Sequence, residues 1–171
     1  MASLYLLTNL RAPAARLWAL AQPAALRAQP RLSTALQLAA CAAENNYVRF
    51  TRLLHDGSRL PSPYRLAASR TSNLLSVGCL RIMSAAYSSP ACRYPVAHLA
   101  GMLRLNPNSL QQYCQHTCGI TILDAGTPAA CIQFSRSNVK SIPGGELPAE
   151  SFDIGAEFSR EEWRNFVLGL S

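Results

Sequence analysis

Hydrophobic residues recur every three to four positions through most of the first 90 residues, which is typical of helices that bury one face. Prolines and polar turns interrupt this period, so the pattern predicts several short helices rather than one long helix. Pro23 is expected to break or kink the second of them, and Ser33 or Thr34 to cap the third. The predicted helices cover residues 4–10, 14–28, 34–43, 47–54 and 66–87.

A polar turn of two residues, Asn45-Asn46, separates the third and fourth predicted helices. Phe50 and Leu54 follow at helical spacing, and Arg49 and Arg52 fall on the other side of the same helix. Two helices joined by so short a turn run antiparallel, and such hairpins are the building unit of helical-repeat proteins.

The pattern changes after the Pro90 break, where elements become shorter and β-rich segments follow. Residues 94–103 and 110–118 have the pattern of two short helices, and Gly119 is expected to end the second. Residues 120–123 and 131–135 have strand composition and are joined by a loop. The order helix, turn, helix, strand, loop, strand predicts a winged helix, although this order alone does not indicate nucleic-acid binding.

The last thirty residues are rich in Pro, Gly and Glu, and only residues 159–170 predict a helix there. Trp163, Phe166 and Val167 lie on one side of that helix, and Ser159 with Glu162 fits a capping box. The fold class expected is therefore mainly α, with helix hairpins followed by a winged helix that carries a small β-hairpin. The predicted domains are 1–90 (helical repeat), 91–141 (winged-helix end) and 142–171 (tail with a short terminal helix).

Composition indicates a folded protein, since 49 % of the 171 residues are hydrophobic and only 15 % are charged. The net charge of +7 is unevenly distributed. Residues 1–104 contain twelve arginines, no lysine and two acids, whereas residues 105–171 carry a net charge of −3. Such asymmetry is typical of a chain that meets nucleic acid or an acidic partner, or that carries an organelle-targeting segment.

The arginines of the helical part are the candidate contacts for phosphates or for an acidic protein surface. The alternative interpretation is that each lies along a solvated helix face or caps a helix. The candidate residues are Arg49, Arg52, Arg59 and Arg65.

The second short helix of the winged-helix end carries the candidate contacts to a protein partner. Its polar side chains are uncharged and therefore weak for DNA readout, so this helix is expected to pack or to meet a protein. The candidate residues are Gln112, Tyr113 and His116.

Two further kinds of chemistry compete with these interpretations. Cys114 and Cys118 are four residues apart, with His116 between them and Cys131 on the next strand, but no Cys-x-x-Cys pair exists and zinc commonly needs four ligands in close pairs. The cysteines are expected to pack in the core, and no metal site is expected.

Carboxylates are almost absent before Leu105, and no phosphate-binding loop is present, so neither an enzyme, a cofactor nor a small-molecule substrate is expected.

The composition also bears on whether the chain contains a membrane-spanning segment or an organelle-targeting segment. No apolar run of 18 residues exists, so no membrane partner is expected. The first 43 residues contain no acid and four arginines, as mitochondrial transit peptides do, although serines are few and the helical pattern continues into the body of the chain. A mitochondrial protein with a cleaved N-terminal segment therefore stays open as an alternative, as does a structural zinc-binding protein.

Five segments carry motifs of one known family. The most specific is Ala42-Ala-Glu-Asn-Asn-Tyr-Val-Arg-Phe-Thr-Arg-Leu-Leu54, which is similar to a Gly/Asn-Asn-Tyr-x-Arg-Phe-Phe-Arg-Leu hairpin. Leu4–Leu10 is similar to a Tyr-Leu-Leu-x-Asn-Leu helix, and Leu80–Tyr87 to a helix that closes on Ala-Tyr. Tyr94–Leu105 and Leu110–Ile120 match a pair of short helices that open a winged helix. Together these segments resemble the SAC3/GANP domain family, the helical scaffold of messenger-RNA export complexes.

The resemblance implies a scaffold of helical repeats capped by a PCI-like winged helix, related to domains of the proteasome lid and of initiation-factor complexes. In the family's export complexes this end pairs with a second winged-helix subunit, and the pair presents a basic surface to RNA or DNA. Short members, which this chain resembles most, are associated with the centrosome and the mitotic spindle, and none is an enzyme.

The expected function is therefore a non-enzymatic protein-interaction scaffold, acting in centrosome duplication, spindle assembly and mitotic progression or in nuclear messenger-RNA export. The expected partners are protein subunits of a larger complex, with RNA as a further candidate. The expected location is the nucleus and the cytoplasm, including the centrosome and spindle.

Two departures from the family pattern bear on these expectations. The family domain usually starts further upstream with more helices, so the chain is expected to hold an N-terminally truncated domain. Thr51 stands where a second Phe is common, and the tail after Ile142 has no family match.

Overall fold

The computed structural model describes residues 1–89, 91–135 and 142, with the side chain of Arg70 left aside. These residues fall into two compact units, one formed by residues 1–72 and one that starts at residue 73. The predicted terminal helix at 159–170 lies outside the described residues. Over the described part the fold is mainly helical with one small antiparallel sheet, as the sequence predicts at that level.

The first unit is built from helices alone. Prolines stand at the first turn of several of them, where the missing N–H has no intrahelical partner and the fixed φ favours helix initiation. The helices are α1 (Ala2–Thr8), α2 (Pro13–Leu20), α3 (Ala24–Arg27), α4 (Pro30–Ala43), α5 (Tyr47–His55) and the first part of α6 (Ser62–Ala86), which continues into the second unit.

Helices α4 and α6 each begin four residues earlier than predicted. Helix α4 begins at Pro30 and has no side-chain cap, so Ser33 and Thr34 lie within the helix rather than at its start. The prediction was wrong because a proline at the first helical position competes with the hydroxyl capping signal. Helix α6 begins at Ser62 instead of residue 66, and Pro63 occupies its first turn. Pro23 does separate two helices, α2 and α3.

Helix α4 forms the centre of the first unit and contacts α1, α2, α3 and α5. Large apolar side chains from these helices are fully buried in the core of the first unit. The burial of each stabilises the fold by about 2 kcal/mol. The fully buried ones include Leu6, Leu7, Leu38, Phe50 and Leu54.

The predicted helix hairpin is confirmed. Asn45 adopts a left-handed conformation with φ of 54°, which Asn tolerates better than most residues. Asn46 then caps α5, since its side-chain oxygen accepts a hydrogen bond from the backbone N–H of Arg49 at 3.2 Å.

The second unit combines short helices with a three-stranded sheet. After the end of α6 its elements are β1 (Tyr94–Pro95), α7 (Val96–Leu103), α8 (Pro107–Gln112), a π-helical turn (Tyr113–Thr117), β2 (Thr121–Leu123) and β3 (Cys131–Gln133). The strands are antiparallel in the order β1-β3-β2, and Ile132 of β3 pairs with Tyr94 on one side and Ile122 on the other. The predicted helices and the β2–β3 hairpin are present, whereas β1 was not predicted.

The second helix of this unit departs from the expected form. Asn106 caps α8 by accepting from the backbone N–H groups of Asn108 and Ser109. The helix then widens into a π turn, in which the N–H of Cys118 bonds to the carbonyl of Tyr113 at 3.1 Å. Gly119 follows with φ of +61° and ends the helix, as predicted.

The sheet and the three helical elements around it enclose the core of the second unit. This core includes apolar side chains from α7, α8, the segment after the π turn, β3 and the residue that follows β3, and the ones named next are almost completely buried. They are Leu99, Leu103, Leu110, Ile120, Ile132 and Phe134. Among the described residues, no helix is both long enough and apolar enough to cross a membrane.

Candidate interaction surfaces

The exposed arginines of α5 form the first candidate surface. Phe50 and Leu54 are fully buried, so the opposite side of the helix is turned to solvent. Arg49 and Arg52, three residues apart, lie on that side and are exposed, as predicted. Neither side chain forms an ion pair with the residues that the structure describes. Both guanidinium groups are therefore available to a phosphate or a carboxylate.

Arg59 is exposed, but its charge is already paired. Its Nε lies 2.8 Å from Oδ2 of Asp56. Asp56 also accepts a hydrogen bond from the Ser58 hydroxyl at 2.6 Å, and this bond, together with Arg59, lowers the pKa of the Asp56 carboxyl. Arg59 is thus a weaker candidate for phosphate contact than Arg49 or Arg52.

Arg65 does not belong to this surface. Only 8 % of the residue is exposed, and its guanidinium donates to the Ser62 hydroxyl at 2.9 Å. The sequence suggested an exposed Arg65 because the predicted helix began only at residue 66. Since α6 already starts at Ser62, Arg65 is in its first turn and turns inward.

The exposed side of α8 and of the π turn forms the second candidate surface, which lies in the second unit. Gln112 and His116 are exposed there, as the prediction requires, and Gln115 accompanies them. These side chains are polar, and no carboxylate stands among them. The surface therefore offers hydrogen bonds without a fixed negative charge.

Tyr113, the third residue predicted for this surface, is buried instead. Only 4 % of it is exposed. Burial, followed by the electrostatic influence of the neighbouring Cys118 thiol, raises the pKa of Tyr113 to about 12. A side chain held in this way cannot contact a partner, so Tyr113 supports the surface from below.

The cysteines considered for zinc do not gather around a site. Cys114 and Cys118 are buried, and burial raises the pKa of their thiols to about 12 and about 11. His116 between them is exposed, and Cys131 is half-buried in β3. Over residues 1–89, 91–135 and 142, no group of three or more His, Cys, Asp or Glu side chains could hold a metal ion.

A cluster of aromatic rings in the second unit was missed from the sequence. The ring centroids of Tyr87 and Tyr94 are 5.3 Å apart, and those of Tyr94 and His98 are 5.6 Å apart. Tyr87 and His98 are exposed at the two ends of this row. The signal available was the recurrence of three rings within twelve residues on both sides of the Pro90 break.

Comparison with known proteins identifies the family of the chain. The model of the SAC3/GANP family matches residues 1–124, which run from α1 through β2. Comparison with curated proteins and with solved structures gives no significant match. The family is of a scaffold type and is not known for enzymatic activity, and membership suggests protein–protein interaction within a complex. The match covers well over half of the chain, and the protein belongs to the SAC3/GANP family.

Proposed function

We propose that the protein is a non-enzymatic scaffold whose second unit is a PCI-like winged helix that binds another protein subunit. The observation that carries this proposal is the strand order β1-β3-β2, with β1 directly before α7 and the β2–β3 hairpin after α8. In a winged helix the strand between the first two helices pairs with the last strand of the wing. With α6 counted as the first helix, β1 is that strand, and its Tyr94 pairs with Ile132 of β3.

The exposed face of α8 and the π turn is the proposed partner-binding surface. Gln112, Gln115 and His116 present uncharged or weakly basic hydrogen-bonding groups, which suit a protein surface better than base edges. The buried Tyr113 and Leu110 beneath them hold the face rigid, so a partner would bind a preformed surface.

A pair of substitutions tests this surface directly. Gln112→Glu combined with His116→Glu introduces two negative charges on the proposed face while leaving its buried residues unchanged. In quantitative affinity purification of the full chain, the variant is expected to lose protein subunits that the parent retains. Gln29→Glu, an exposed change in the first unit, is the matched control and should retain them. An identical set of subunits in all three samples would exclude this face.

We further propose that the scaffold serves nuclear messenger-RNA export or centrosome duplication and spindle assembly, with a location in the nucleus and cytoplasm including the centrosome and spindle. Family membership supports both roles equally. Depletion of the protein should either retain polyadenylated RNA in the nucleus or change centrosome number, and the phenotype that appears selects the role. A chain tagged at its C-terminus that accumulates in mitochondria would overturn both.

Contact with RNA is the remaining proposal, and it concerns the first unit. Arg49 and Arg52 are exposed on one side of α5 without an acidic neighbour in the helix. Arginines in this arrangement can bind successive phosphates of a single strand. An acidic protein segment is the competing ligand, and the salt dependence of RNA binding in arginine variants distinguishes specific phosphate contacts from general attraction.

A further inference from the structure

Helix α2 has two apolar faces, only one of which is used inside the first unit. Ala15 and Ala19, four residues apart, are fully buried. Leu17 and Leu20, on another face, are 67 % and 43 % exposed. Large apolar side chains with this exposure on one short helix are an unusual feature of a folded surface. The residues of this second face, which follow the helical spacing i, i+3, i+4 and i+7, are Pro13, Arg16, Leu17 and Leu20.

This second face lines a groove of about 330 Å³ that lies entirely within the first unit. Except for two arginines, the lining is apolar. No acid lines the groove, and the nearest one in sequence, Glu44, follows its last lining residue. The groove therefore suits an occupant that is apolar along one side and negatively charged beside it. The lining residues outside the α2 face are Leu10, Arg11, Ala12 and Ala43.

We propose that the groove binds the C-terminal segment of the same chain, residues 159–170, as a helix. The sequence places Trp163, Phe166, Val167 and Leu170 at i, i+3, i+4 and i+7, which is the spacing by which an amphipathic helix fills an apolar groove. Leu17 and Leu20 on α2 are three residues apart, as Trp163 and Phe166 are in the segment. The apolar side chains of the groove and of the segment therefore repeat at the same helical spacing.

Charge favours the same occupant. Residues 146–162 contain six acids and one arginine, so the start of the segment and the sequence before it are strongly negative. Arg11 and Arg16 at the groove are their natural counterparts. A second copy of the groove surface would instead bring arginines against arginines, which disfavours a symmetric contact through this face.

Length permits the contact within one chain. Sixteen residues separate Ile142 from Ser159, and they span up to about 55 Å when extended. A tethered segment also has an effective concentration in the millimolar range, far above that of a free partner. An intrachain contact is therefore favoured over the same segment from another copy.

Trp163 provides the reporter for a test on the full chain. Trp18 does not line the groove, so Trp18→Phe leaves Trp163 as the sole tryptophan without changing the site. In this background we expect Trp163 emission to be blue-shifted and its acrylamide quenching to be reduced relative to the urea-unfolded chain. Leu17→Glu with Leu20→Glu should remove both effects, because two carboxylates would stand where the segment's apolar side chains lie.

Matched variants make each outcome decisive. Leu26→Glu changes a leucine on α3, outside the groove, that is about as exposed as Leu20 (40 % against 43 %), and it should leave the Trp163 signal unchanged. Arg11→Gln with Arg16→Gln should weaken the protection without unfolding the chain. A Trp163 that is as quenchable in the parent as in urea overturns the proposal, as does protection that survives Leu17→Glu with Leu20→Glu. Protection that rises with protein concentration assigns the segment to a second copy and also overturns it.

Discussion

Asn46 accepts a hydrogen bond from the backbone N–H of Arg49 through its side-chain oxygen, so the residue that starts α5 also fixes the turn that carries an exposed arginine. The position of the Arg49 side chain is thereby tied to the capping interaction. Folding stability and the geometry of the basic surface depend on the same amide.

Replacing Asn46 by alanine removes this cap, and we expect the free energy of unfolding to fall by about 1 kcal/mol. Asn46→Asp should preserve most of the stability, because aspartate is an equally good N-cap and favours the positive end of the helix dipole. Urea denaturation of the three proteins measures the difference. Equal losses in both variants would mean that the amide N–H₂ of Asn46, rather than its oxygen, matters.

Neutralising Arg49 and Arg52 should reduce both the affinity for single-stranded RNA and its dependence on salt. If each arginine displaces a counterion from one phosphate, the slope of log K against log salt becomes shallower by about 1.4. Titrations of Arg49→Gln with Arg52→Gln at several salt concentrations measure this slope. Arg59→Gln is the control, since Arg59 is already paired with Asp56. A slope that changes as much in the control would place the phosphate contacts elsewhere.

The six cysteines should divide into two classes by reactivity toward a thiol reagent at pH 8. Burial raises the pKa of Cys114 to about 12 and that of Cys118 to about 11, so both thiols stay protonated and inaccessible. Cys92 and Cys131 are half-buried and should be modified first. Mass spectrometry of the partly modified chain identifies the order. Modification of Cys114 at the rate of Cys92 would contradict the burial of the π turn.

Stability should fall at alkaline pH. Tyr113 and Cys114 have raised pKa values in the folded protein, about 12 for each against 10.0 and 9.0 when unperturbed. The unfolded chain therefore loses these protons first, and the free energy of unfolding is full below pH 9 and decreases as the pH rises toward 12. Tyr113→Phe should make the decrease shallower between pH 10 and 12, as urea denaturation at stepped pH would reveal. A decrease identical to the parent's would show that other groups control it.

Two glycines should respond to alanine in opposite directions. Gly119 has φ of +61°, and a Cβ added there would meet no neighbouring atom, so Gly119→Ala costs about 1 kcal/mol through backbone strain alone. Gly101 lies within α7 and is also unobstructed, so Gly101→Ala should stabilise by about 0.5–1 kcal/mol. Thermal or urea unfolding measures both, and a stabilising Gly119→Ala would rule out the left-handed conformation.

Periodic hydrophobicity was sufficient to predict most helices because most of them bury one face in the core of their unit. Strand β1 could not be predicted in this way, since two residues, one of them Pro95, carry no period. The start of α4 was misplaced because Pro30 and the hydroxyls of Ser33 and Thr34 are competing local signals, and only tertiary packing selects between them.

The candidate residues were predictable where a regular helix fixed their direction. Arg49 and Arg52 follow from the buried positions of Phe50 and Leu54 on the same α-helix. The burial of Arg65 could not be predicted in this way, because the direction of its side chain depends on where α6 begins. The burial of Tyr113 could not be predicted either, because the helical wheel of an ordinary α-helix does not apply where the backbone opens into a π turn.

That π turn also bears on how the chain tolerates changes in length. The turn contains one residue more than an α-turn, so deletion of one exposed residue within it, such as Gln115, can close the backbone as ordinary α-helix. The residues on both sides, Leu110 and Ile120, would then keep their places in the core. A deletion inside α4 would instead rotate every following buried residue by about 100°. A single-residue deletion among relatives is therefore best accommodated at residues 113–117.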